Sequence, residues 1–236
     1  MVWGMTMPVG FGEFWPDGEF EYDRKAKESG WRDRLRLHYL AQSPEEQIRL
    51  YDYRSLGNGH DSPGYGAAHY QSITGKFRCE IGTKDGPDHL PFTPAEAHEA
   101  PQTFDTAKTY ASLGAMIKLN DRLLAADDDF RAIVERMEPG VHQFFPLEIK
   151  MPKGKTYPKN YYTLVIGQYF DSYVPEMSDE GEKHFTGRAY SKAAFGAAHL
   201  WRDRRSPLLN WLSDELKAEI DKAGLRLPKH YKMREV

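Results

Sequence analysis

Apolar positions change their spacing along the chain, and each change marks an element. Leu113, Met116, Ile117, Leu123 and Leu124 recur at helical intervals and predict a helix over roughly residues 112–126. A second helix follows directly. Asp127, Asp128 and Asp129 sit where acids favour a helix start, Phe130, Ile133, Val134 and Met137 form its buried face, and Pro139-Gly140 stops it. The period then falls to two. Phe145, Leu147 and Ile149 alternate as in a strand, while Pro146, with no N–H to give a ladder, points to an edge or a bulge. Residues 161–170 are apolar on both faces, Leu164 and Ile166 against Val165 and Tyr169, and predict a central strand. Residues 143–149 and 161–170 are expected to share one antiparallel sheet packed against the flanking helices, with Pro152, Gly154 and Pro158 in the long connection. Residues 171–187 are polar and loop-like, and residues 197–201 and 208–212 predict two short strands. In the closing helix Ser213 is the cap, Asp214 and Glu215 favour the first turn, Leu216, Ile220 and Ala223 face inward, and Gly224 ends it.

The first hundred residues are less regular. Residues 1–30 are rich in glycine, aromatics and acids, with turn signals too dense for a long element, and predict irregular structure or a short hairpin. Ser43-Pro44-Glu45-Glu46 reads as a capping box opening a short helix ahead of Ile48 and Leu50. Thr93-Pro94-Ala95-Glu96 repeats the arrangement, with Pro101 limiting that helix to about two turns. Residues 57–66 read as a loop. The order helix, helix, strands, helix lacks a regular strand–helix alternation and predicts an α+β fold. Its expected form is an antiparallel sheet packed against several helices, behind an irregular Gly- and aromatic-rich N-terminal part. Residues 1–100 make up that region, either separate or part of the same globule, and residues 101–236 an α+β domain.

Composition narrows the function. The 236 residues include 12 Phe, 14 Tyr and 5 Trp, ample for a sizeable core despite a mean hydropathy of -0.70. Lys+Arg 32 against Asp+Glu 35 leaves a net charge of -3, without the basic field that phosphate-backbone binding requires, so nucleic acid is disfavoured as a direct partner. Divided at Phe104, the first part carries net -5 and the rest +2, which allows an acidic surface facing a basic partner; a solvated charge face is the simpler reading. One cysteine, Cys79, excludes an intramolecular disulfide and a thiolate zinc cluster and fits a reducing compartment. With no long apolar run and no secretory signal at its start, the sequence predicts cytoplasmic residence and no membrane partner.

Candidate chemistry is sparse. Among nine histidines, His60-Asp61 with His69, and Asp85 with Asp88-His89, come nearest to a ligand or acid–base cluster, yet neither has a helix-borne pair spacing. Hydrogen-bonded loop histidines are the simpler reading, and an enzyme would need these six residues to converge on one pocket. The glycines at 57, 59, 64 and 66 lack the Lys-Ser/Thr pair of a phosphate cradle. No Gly-x-Ser-x-Gly elbow occurs, and Cys79, in the strand-like residues 76–81, reads as an inert thiol. Asp127, Asp128 and Asp129 diverge by about 100° per helical residue and read as a cap, not a metal triad. Trp201, Arg202, Asp203, Arg204 and Arg205 form the densest charged and aromatic cluster, read as a surface ion-pair network, with a docking point for an acidic partner or a nucleic acid as the alternative. No catalytic residue, metal ligand or cofactor is assigned.

The segment from Gly140 to Ile149, with Gly-Val-His-Gln-Phe-Phe-Pro at its start, resembles that of a bacterial family first catalogued as a domain of unknown function and later grouped, as immunity protein family 11, with polymorphic toxin systems. Tyr161-Tyr162-Thr163-Leu164, Ala197-Ala198-His199-Leu200-Trp201-Arg202-Asp203, Leu212-Ser213-Asp214-Glu215-Leu216 and Ala223-Gly224-Leu225 follow in the family's order, so the resemblance covers roughly residues 101–236. Among the matched positions Gln143, Phe144, Phe145, Pro146, His199, Trp201, Arg202, Ser213, Asp214 and Leu216 read as core and capping positions, so the signature is structural. The resemblance implies an immunity factor that binds and neutralises a co-encoded toxin without chemistry of its own. An enzyme of unknown reaction and a regulatory interaction module are the other classes. Partner choice is expected to vary outside the shared pattern, which selects Phe11, Phe14, Trp15, Trp31 and Tyr65 as candidate anchors, with completion of the core as the competing reading for each. The acidic excess there would steer the protein toward a basic toxin, such as one acting on nucleic acid.

Overall fold

The start of the chain, expected to be irregular or a short hairpin, forms an interior strand at Val2–Thr6 and then a short hairpin that pairs Tyr22–Asp23 with Glu28–Ser29. The computed structural model describes residues 1–45, 77, 94–178, 187–203 and 209–236. In chain order it comprises β1 (Val2–Thr6), β2 (Gly18–Phe20), β3 (Tyr22–Asp23), β4 (Glu28–Ser29), α1 (Gly30–Leu40), a 3-10 turn at Ala97–Glu99, β5 (Thr103–Thr106), β6 (Met116–Lys118) and β7 (Leu124–Asp127). There follow α2 (Asp128–Met137), β8 (Gln143–Met151), β9 (Lys155–Thr156), β10 (Tyr161–Val165), β11 (Tyr169–Phe170) and β12 (Ala189–Tyr190). The chain closes with α3 (Lys192–Phe195), β13 (Leu200–Asp203), β14 (Leu209–Ser213), α4 (Asp214–Lys222) and β15 (His230–Glu235). Helices and strands mix without regular alternation, which is an α+β fold.

Among the described residues one sheet runs β2-β5-β8-β10-β7-β6, with β9 appended to β8, and a second runs β11-β13-β14-β1-β15-β12. Most neighbours are antiparallel; β5–β8, β11–β13 and β12–β15 are parallel. The expected pairing of β8 with β10 is present, with Leu147 opposite Tyr161 and Pro146 opposite Tyr162. Yet β8 is interior, not an edge. Glu148 N–H donates to Gln102 O on the β5 side at 3.0 Å, so the nitrogen of Pro146, two residues earlier, faces that side too. The β5–β8 ladder begins only at Thr103 opposite Glu148, and the missing N–H therefore costs no ladder bond.

Four further expectations are corrected. Residues 112–126 are a β6–β7 hairpin and not a helix: the turn passes through Asp121 (φ 52) and Arg122 (φ 60), and every residue from Leu123 to Asp127 is buried, where a helix would bury one stripe. The strand over 161–170 ends at Val165, and Tyr169 and Phe170 belong to the other sheet. The two-turn helix before Pro101 is a single 3-10 turn in which the Glu96 N–H donates to the Glu99 carboxylate at 2.7 Å. Ala223 is exposed, one residue beyond α4. Pro44 and Glu45 are helical where the capping box predicts a start; the rest of that helix, residues 57–66 and Cys79 lie outside the described residues. Phe77, within the strand-like 76–81, is helical and fully buried.

Three apolar clusters tie the layers together. Phe20, Trp31, Leu35, Phe104, Ile149 and Tyr161 pack α1 against the first sheet. Met5, Leu124, Phe130, Leu164, Leu212 and Leu216 join both sheets through α2 and α4. Trp201, Trp211, Tyr190 and Phe195 fill the far face of the second sheet. The described part of the chain before residue 45 is woven into this frame, since β1 lies between β14 and β15 and β2 pairs with β5. Gly4 on β1 leaves room for the Trp211 ring; a Cβ there would stand 3.0 Å from Trp211 Cζ3 and 2.8 Å from Met233 Cε. At the start of α4, Ser213 Oγ accepts from Leu216 N at 3.1 Å, the predicted cap. Ser213→Ala is expected to lower stability by about 1 kcal/mol in urea denaturation; an unchanged midpoint would show that the cap contributes nothing.

Candidate functional site

Residues of the segments 140–149 and 197–203 meet at a buried carboxylate. Glu138 closes α2, where a negative charge opposes the helix dipole, so its burial needs donors. Four converge on it: Oε1 accepts from Gln168 Nε2 (2.5 Å) and His199 N (2.7 Å), and Oε2 from Leu200 N (2.9 Å) and His142 Nε2 (2.8 Å). The far ring nitrogen of His142, Nδ1, accepts from Gly167 N at 3.1 Å, which assigns the proton to Nε2. Burial pushes the Glu138 carboxyl up, but the bonds from His142, the His199 N–H and Gln168 outweigh it and hold it below the ordinary glutamate value. One side chain thereby pins the end of α2, the β10–β11 crossover and the start of β13.

The other residues that the sequence singles out as core and capping positions mostly hold the frame. Gln143 bonds both backbone groups of Ala95, each at 2.9 Å. Phe145 packs on the α1-side core and Phe144 on the core between the sheets, while Pro146, next in sequence, is exposed. His199 Nδ1 meets Ser213 Oγ at 2.8 Å, Trp201 stacks on Phe195 at 4.5 Å, Asp214 Oδ1 accepts from Trp3 Nε1 at 2.8 Å, and Leu216 is buried. Arg202 and Asp203, read as a surface network, are instead buried, and Asp203 Oδ2 accepts from Ser172 N, Ser172 Oγ and Tyr173 N. Arg204 and Arg205 lie outside the described residues. Asp127 caps α2 through Phe130 N, and Lys159 bonds both Asp127 (2.9 Å) and Asp129 (2.8 Å), which keep its ammonium above the ordinary lysine value. Asp128 turns away to Asn160 at 2.7 Å.

The loop before β2 presents two of the exposed large apolar side chains among the described residues. Val9 is 98% exposed and Phe11 56%, on a tip whose base is braced. Gly12 and Trp15 exchange backbone bonds of 2.8 and 3.3 Å, and the Phe11 ring lies 4.7 Å from that of Trp15. Lys118 Nζ sits 3.4 Å from the centre of the Trp15 ring and donates to Pro8 O at 3.3 Å; burial, then Arg122, push this ammonium below the ordinary lysine value. Gly114 N and Lys118 N donate to Glu13 O and Phe14 O, the Phe14 ring occupies the space over Gly114, and Arg226 pairs with Glu13. Thus Phe11 is presented, and Phe14 and Trp15 are its half-buried support.

Trp31 is different. It is fully buried, donates to Glu99 O at 2.9 Å and meets Phe20 edge-on, which leaves it no surface to offer a partner. Tyr65, and His60, Asp61, His69, Asp85, Asp88 and His89, lie outside the described residues. Among the described residues no group of three or more His, Cys, Asp or Glu is placed to hold a metal ion, and no helix is long and apolar enough to cross a membrane. Val9, Lys118 and Glu138 escape the sequence reading. An acid directly before Pro139-Gly140, at the wrong end of a helix dipole, is the signal that could have flagged Glu138. Compared with known protein families and with curated proteins, the chain matches none.

Proposed function

We propose that this chain is a cytoplasmic, toxin-neutralising immunity protein of the kind the sequence resembles, which binds and occludes a toxin encoded beside it and performs no chemistry of its own. The observation that carries the reading is the Val9–Phe11 tip: exposed apolar side chains on a base clamped by Lys118 and the Gly12–Trp15 bonds. Preorganised aromatic anchors contribute most of the energy at interfaces of about 1,600 Å² because little conformational entropy is lost on docking. The buried Trp15 indole N–H, without an acceptor among the described residues, adds a donor beneath the tip. The acidic balance of the first hundred residues favours a basic toxin, such as one acting on nucleic acid.

The test is co-expression with the product of the adjacent reading frame, comparing the natural chain with a Val9→Ser, Phe11→Ser double variant. Both side chains are exposed, so thermal stability is expected to stay unchanged while affinity for that product falls about thirtyfold or more and protection is lost. Undiminished protection by the double variant would remove the tip as anchor, and protection that required turnover or a cofactor would overturn occlusion. Deleting residues 1–40 would not separate these outcomes, because β1 is an interior strand.

A further inference from the structure

We propose that the open edge of β15 takes up an extended, acidic segment of a partner protein as an added strand. This proposal is independent of the loop tip. Thr6 N donates to Lys229 O at 2.9 Å, and the β1–β15 register continues with Gly4 opposite Tyr231 and Val2 opposite Met233. By the alternation of an antiparallel ladder, Tyr231 and Met233 direct their backbone groups at β1, while His230 and Lys232 direct theirs away. On that far side β12 reaches only Arg234 and Glu235. The N–H and C=O of His230 and Lys232 therefore form an unpaired edge among the described residues. The corresponding edge of β6 is already occupied, since Gly114 N and Lys118 N bond Glu13 O and Phe14 O.

Charge selects the occupant. Trp3 lies opposite Lys232, and His230, Lys232 and Arg234 share that face of the sheet. Lys232 is exposed and stands 5.8 Å from the Trp3 ring, with His230 edge-on at 5.7 Å. The nearby carboxylates are spent: Asp214 on Trp3 Nε1, Asp221 on Lys217, and Glu235 on the Met1 amine. Arg234 donates to a neutral acceptor, Met177 O, at 2.8 Å. Lysine on an edge keeps neutral and basic strands away, and a second copy would set cation against cation. A strand with acids at alternate positions would meet the Lys232 and Arg234 cations and satisfy the outward backbone groups of His230 and Lys232.

The probe is the peptide Thr-Glu-Val-Glu-Val-Glu-Thr, with its lysine counterpart as control, added to the full chain while amide exchange is followed by NMR. The acidic peptide is expected to slow exchange at the His230 and Lys232 amides about tenfold and to leave Tyr231 and Met233, already bonded to β1, unchanged. Lys232→Glu is expected to reverse the preference between the two peptides. Lys232→Pro removes an outward N–H without touching the β1 ladder and is expected to abolish binding; should it fail to fold, the charge reversal carries the test. Equal binding of both peptides, perturbation away from β15, or protection of these amides by self-association would overturn the proposal.

Discussion

Glu138→Gln is expected to lower the free energy of unfolding by about 3 kcal/mol, among the largest effects of any near-isosteric change in this chain. The natural carboxylate accepts from Gln168, His199, Leu200 and His142 and has no hydrogen to donate. An amide has one oxygen, so its NH2 group would face two of those four donors in a buried place where water cannot compensate. The same group sets an acid limit. Its folded value lies below the ordinary 4.5, so the stability it supplies is complete above the unfolded value and is lost as pH falls through the folded one. Urea denaturation between about pH 3 and 7 should show the natural chain and the variant far apart at neutral pH and converging toward acid. A constant gap across that range would mean that the ionised carboxylate is not what the four donors hold.

Gly167→Ala is expected to cost on the order of 3 kcal/mol or more, or to prevent folding. A Cβ at this position would overlap the carbonyl oxygen of Val141, and the obstacle is backbone, which cannot swing aside as a side chain does. The Gly167 N–H also holds His142 Nδ1, so any retreat of this segment loosens the contact that orients His142 toward Glu138. The two variants share a partner, and their effects should combine to less than their sum. Circular dichroism melting of the single and double variants measures this; full additivity would separate the glycine contact from the carboxylate node.

Local signals were legible wherever one stretch of chain contains both the cause and the consequence. The cap at Ser213, the acidic start and apolar stripe of α2, and the alternation of β8 all appear in the structure, because capping bonds and helical faces involve residues three or four apart. Period alone misled at residues 112–126: apolar side chains at helical intervals also fill both faces of a doubly covered hairpin, and the Asn120-Asp121-Arg122 turn was the competing signal. The candidate site divided in the same way. Phe11 could be named as an exposed aromatic on a Gly-rich loop, but nothing local distinguished it from Trp31, which is in the core.

By itself the sequence determined the α+β class, two of the helices with their caps, and the pairing of β8 with β10. Only the tertiary structure decided that β1 is an interior strand, that Glu138 binds three elements together, that Lys118 clamps Trp15, and that the outward edge of β15 at His230 and Lys232 has no partner among the described residues. Each of these depends on which distant backbone or side chain supplies the partner for a hydrogen bond or a buried charge. Met5 and His230 are neighbours across a ladder despite standing near opposite ends of the chain, and a sequence pattern read in short windows has no term for that contact.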